Sequence, residues 1–77
     1  MDDSEIRSRI EALVEEEHRL RESGEHTAEQ RARLRQIEED RDQLWDLLRQ
    51  RDAKRQYGED PDEAAPRPEH QVEGYLQ

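Results

Sequence analysis

The sequence predicts an all-α chain: an antiparallel two-helix hairpin, coiled-coil-like, that self-associates into a four-helix assembly and carries an extended acidic C-terminal tail. Three observations carry this expectation. Apolar residues recur at helical spacing in two blocks, a lone glycine separates the blocks, and the prolines gather only after the second one.

In the first block Ile6, Ile10, Leu13 and Leu20 fall on one stripe, with Glu17 filling the skipped step. Asp2 with Glu5 three residues on forms a capping pair, and Asp3 or Ser4 also suits a cap. Gly24 is the natural stop, because glycine accepts the left-handed backbone at a helix C-terminus. Helix 1 is therefore expected over about 4–23. Thr27 and Gln30 make a second capping box. Behind it Leu34, Ile37, Leu44 and Leu48 form the second stripe, with Arg41 at the skipped step and no breaker before Tyr57-Gly58. Helix 2 is expected over about 28–56, roughly 43 Å long against roughly 30 Å for helix 1 at 1.5 Å per residue.

The stripes match in reverse order. Leu20 falls opposite Leu34, Glu17 opposite Ile37, Leu13 opposite Arg41, Ile10 opposite Leu44 and Ile6 opposite Leu48, so one register aligns the whole seam. The short connection around Gly24 favours antiparallel neighbours. Glu17 and Arg41 sit one layer apart and suit an ion pair that fixes register. Those eight apolar residues are the expected hairpin core.

Two helices alone bury any stripe only in part. Trp45 lies about 70° to one side of the second stripe and Leu47 about 90° to the other, with Val14 similarly offset on helix 1. An internal seam does not require apolar residues there, whereas a second hairpin would use them. Val14, Trp45 and Leu47 are therefore the expected self-association face of a homodimer.

Residues 1–57 form the hairpin and 58–77 the tail. Charge divides the same way: residues 58–77 hold 6 acids and 1 base, part of a formal net charge of −9. Pro61, Pro66 and Pro68 forbid a regular helix there. Asp60-Pro61-Asp62-Glu63 suits a single helical turn, and Val72, Tyr75 and Leu76 are the sizeable apolar groups beyond it.

Composition narrows the function. Hydrophobic residues make up 29% and charged residues 45%, with no Cys. Disulfides and thiolate metal sites are thereby excluded. No long apolar run suits a membrane, and MDDSEIRSRI lacks the basic start and apolar stretch of a secretory signal, so a cytoplasmic chain is expected. Ser4, Ser8 and Ser23 lack the context of an activated nucleophile, and no glycine-rich phosphate loop occurs. No enzyme activity, cofactor or nucleic-acid binding is expected. His18, His26 and His70, with Glu15, Glu22 and Glu25, lack the repeated helical spacing of a carboxylate metal site. Arg49, Arg51, Lys54 and Arg55 form a basic cluster that complements the helix dipole and that the acidic tail suits by charge. Glu15–Glu17 and Glu38–Asp40 fall at one level of the hairpin and steer cationic partners.

The run DQLWDLLRQRDAKRQYGEDPDEAAPRP over 42–68, the closing VEGYLQ and the opening IRSRIEALVEEEHRLR over 6–21 resemble a family of small actinobacterial proteins, domain of unknown function 2630. The high share of arginine agrees with such a source. The resemblance implies a small intracellular helical protein and carries no activity or functional residue with it. The resulting expectation is a non-enzymatic protein–protein interaction or structural module acting as a homodimer. The alternatives are an acidic regulator that binds a basic protein surface in the manner of a nucleic-acid mimic, or a metal-binding helical dimer.

Overall fold

The computed structural model describes residues 1–24 and 26–67. Helix α1 runs Asp3–Glu22 and helix α2 runs Ala28–Gln56, followed by one 3-10 turn, η1, at Pro61–Glu63. No strand occurs among the described residues.

Each helix starts where a side chain replaces a missing backbone partner. The Asp2 carboxylate accepts from the Glu5 amide at 2.8 Å, and the Thr27 hydroxyl accepts from the Gln30 amide at 3.1 Å. Gly24 ends the first helix at φ 73°, a left-handed backbone that a side chain would oppose. At the far end Gly58 takes φ 72°, and the Glu59 amide donates back to the Lys54 carbonyl at 2.7 Å. That closed stop reverses the chain instead of letting it run on.

The helices are antiparallel. Arg51 near the end of α2 reaches Asp3 at the start of α1, and Arg41 reaches Glu17 at 3.2 Å midway along the seam. Ile6, Ile10, Ile37 and Leu48 are buried, while Leu13, Leu20, Leu34 and Leu44 are half-buried. Ile6, Ile10, Leu47 and Leu48 form one cluster with Leu44 and Ala64 packed against it, so the core gains a third side where the C-terminal segment crosses, while Ile37, also fully buried, lies outside that cluster.

One expectation needs correction here. Leu47, placed on the self-association face, is only 6% exposed and packs inside the chain's own core. A helical wheel locates Leu47 beside the seam but does not reveal that Ala64 packs against the cluster holding it. Residues 58–67 of the expected tail fold back as a strap along α2, as the acidic charge beside the basic end of that helix allowed. The cause is a polar stripe on α2: Gln50 Nε2 donates to the Ala65 carbonyl at 3.0 Å and Gln43 Nε2 to the Arg67 carbonyl at 3.3 Å. These bonds take the place of water on a backbone that prolines bar from helix. Val72, Tyr75 and Leu76 lie outside the described residues.

Candidate functional site

The hairpin has two flanks, and the strap crosses one of them. Asp46 is its anchor on α2 and is 0% exposed. Arg67 grips both Asp46 oxygens, its Nε donating to Oδ2 at 2.8 Å and its Nη2 to Oδ1. Gln50 Nε2 adds a bond to Oδ2 at 3.0 Å. The Arg67 bonds hold the Asp46 carboxyl below its ordinary pKa, against the opposing effect of burial and with help from Gln50. A fork-on-fork pair of this kind is among the stronger polar contacts, and it fixes where the strap lies.

The other end of the strap is tied by Arg51. Its Nη1 donates to Asp62 at 2.8 Å and its Nε to Asp3 at 2.6 Å, so one buried guanidinium joins η1, α2 and the start of α1. Arg55 also donates to Asp3, at 2.6 Å. The Arg55 and Arg51 bonds hold the Asp3 pKa down at about 2. Lys54 pairs with Glu59 at 3.2 Å and Arg49 approaches Asp46 at 3.9 Å. The basic cluster at the end of α2 is thus answered by acids of its own chain, as the charge of the tail suggested. Between the strap and the helices an open groove of about 510 Å³ is lined by Leu13, Leu44, Leu47 and Pro66, with Arg9 and Glu16 at its rim.

Among the described residues nothing crosses the opposite flank in the same way. Asp3–Arg55 at 2.6 Å and Glu17–Arg41 at 3.2 Å join the helices along the seam, and on this flank the exposed pair Arg21–Glu38 at 3.7 Å does so. Seven residues along each helix from Arg21 and Glu38 lie Val14 and Trp45, at one level of the same flank. They are 43% and 44% exposed, the exposed ones among the large apolar residues of the two helices. A further seven residues along lie Arg7 and Asp52. The flank therefore reads charged, apolar, charged along its length.

The acid-rich level expected of Glu15–Glu17 and Glu38–Asp40 is largely answered from within. Arg33 grips Glu16 through two bonds of 2.6 and 2.7 Å, which lower the Glu16 pKa. Arg41 and Arg21 reach Glu17, and Arg21 also reaches Glu38. His18 sits 2.9 Å from Glu22. Among the described residues no three His, Asp or Glu side chains are placed to hold a metal ion, and Glu25 and His70 lie outside them. No described helix is long and apolar enough to cross a membrane.

Sequence reasoning missed Asp46, Gln43, Gln50 and Arg67 as a set. On α2 the first three follow helical spacing, but a polar stripe is ordinarily a solvated face, and nothing in it announces a returning chain.

A two-helix hairpin fastened by its own C-terminal strap, with Val14 and Trp45 exposed on the other flank, defines a small all-helical class of protein. The chain belongs to the family described as Protein of unknown function (DUF2630), whose sequence pattern matches residues 2–77. It is 52% identical to an uncharacterized protein of Mycobacterium bovis over 77 residues, covering 95% of this chain and 88% of that one. Uncharacterized proteins of two Mycobacterium tuberculosis strains, CDC 1551 and H37Rv, match at the same 52% identity and the same 95% and 88% coverage. No solved structure matches the chain.

Proposed function

We propose that this protein is a non-enzymatic interaction module that works as a homodimer, two copies meeting through the Val14/Trp45 flank. One observation carries the reading. The strap covers the Leu47 flank from within the chain, while Trp45 and Val14 stay 44% and 43% exposed side by side on the other. An exposed indole level with an exposed valine is apolar area that a second copy removes from water, and a four-helix core is the simplest way for short hairpins to do so.

The alternative, an acidic regulator on a basic partner surface, draws on the net charge of −9. It loses weight because Arg33, Arg41 and Arg21 already answer Glu16, Glu17 and Glu38. The chain holds 1 Trp, so Trp45 fluorescence reports this flank alone. On dilution the emission shifts to longer wavelength, with the same midpoint as the fall in mass. Emission that stays constant while the mass is that of one chain contradicts the reading.

A further inference from the structure

Resting on that dimer reading, we propose that the two copies pack about a two-fold axis parallel to their helices. Each α1 then lies on the partner's α2 at the same level along the bundle.

Charge selects this arrangement. Among the described residues the exposed ion pair on the open flank, Arg21 with Glu38, joins α1 to α2 at one level. An axis parallel to the helices brings this pair against its own copy with the helices exchanged. Arg21 faces the partner's Glu38 while Glu38 faces the partner's Arg21, and four charges alternate in sign around a square. Arg7 and Asp52, a further seven residues along from Val14 and Trp45, form one more such level. At the centre Val14 covers the partner's Trp45 twice over.

The competing closed arrangement has its axis across the helices, through the Val14/Trp45 level. It lays α1 on the partner's α1 in reverse. Arg7 then meets the partner's Arg21, and Glu38 meets the partner's Asp52, like on like. Like charges juxtaposed across an interface oppose it, and charge patterning sets register more than it adds affinity. The apolar centre is indifferent to the choice, so the charged levels decide it.

The chain has no cysteine of its own, so single thiols can be introduced without background. Chains carrying Arg7→Cys are mixed with chains carrying Asp52→Cys, and in parallel with chains carrying Arg21→Cys, then treated with a short bis-maleimide. The arrangement gives a crosslink between the Arg7 and Asp52 variants and little between the Arg7 and Arg21 variants; the reverse pattern overturns it. Arg7→Glu provides a second reading. It weakens the dimer on the order of tenfold, because two symmetry-related contacts turn from attraction to repulsion. The crossed arrangement instead tightens it, since Glu then meets Arg. A wild-type chain that stays single at micromolar concentration ends the dimer reading and this arrangement together. A dimeric wild type that crosslinks between the Arg7 and Arg21 variants ends the arrangement alone.

Discussion

Leu47 and Trp45 are two residues apart on α2 and are expected to fail in different ways when cut to alanine. Leu47 is 6% exposed among Ile6, Ile10, Leu48 and Ala64. Removing its three outer carbons loses about 2.4 kcal/mol of transfer energy at roughly 0.8 kcal/mol each. A cavity adds to that, but the strap can settle on it, so the total stays in the lower half of the usual range, about 2.5–3.5 kcal/mol. For a chain this short the melting temperature falls by about 10–25 °C. Trp45→Ala, by contrast, removes a half-exposed ring and costs the isolated hairpin about 1 kcal/mol or less. It raises the dissociation constant of the proposed dimer about a hundredfold or more, because that dimer uses the ring as an anchor twice. Urea melts followed by far-ultraviolet circular dichroism at two protein concentrations separate the effects. Leu47→Ala lowers the midpoint at both concentrations, whereas Trp45→Ala removes the dependence on concentration. A Leu47→Ala chain that keeps its stability yet sediments as a single chain would refute the placement of Leu47 in the core.

Three further predictions follow from the ties that hold the ends together. Thr27→Ala removes the side-chain acceptor of the Gln30 amide and lowers unfolding stability by about 1 kcal/mol, whereas Thr27→Ser leaves it nearly intact in the same melt. Asp3 is held at about 2 against an ordinary 3.8, first by the bond from Arg55 and then by that from Arg51. Because the folded value is the lower one, its contribution is fully present above the unfolded pKa and fades as pH falls from about 4 toward 2. Asp46, Asp62 and Glu16 are lowered by their arginines and act in the same direction. Asp3→Asn therefore flattens the acid limb of a stability–pH curve, and an unchanged limb counts against the Asp3 contacts. Arg51→Met frees η1 and the first turn of α1 together, because one guanidinium holds both Asp62 and Asp3. Amide exchange speeds up at both places, while Arg49→Met, at a residue 3.9 Å from Asp46, leaves them slow.

The helices were legible because their signals are local. A capping pair, a 3–4 apolar rhythm and a glycine stop each act within a few residues, and the helices run Asp3–Glu22 and Ala28–Gln56. The Glu17–Arg41 contact was legible too, since reversing one stripe against the other sets both residues near one level. The strap was not. Its single turn at Pro61–Glu63 could be read from Asp60 and Pro61, but its course depends on Arg67 finding Asp46 across 21 residues of sequence. Acid and proline in a terminal segment ordinarily mean a solvated chain, and no periodicity marks where such a segment lands. The Leu47 error follows directly: periodicity places it beside the seam, and only the strap decides that its cover comes from within. The same fact sharpens the assignment of the open flank, since Val14 and Trp45 alone of the three flank residues stay exposed.

The central claim is that one flank of this hairpin is closed by its own strap and the other by a second copy. Sedimentation equilibrium of the full chain across the micromolar range tests it most directly. The account predicts a mass of two chains that falls toward 9.3 kDa on dilution, and a Trp45→Ala variant already near that limit throughout. A wild-type mass of one chain across the whole range, with Trp45→Ala indistinguishable from it, would contradict the account.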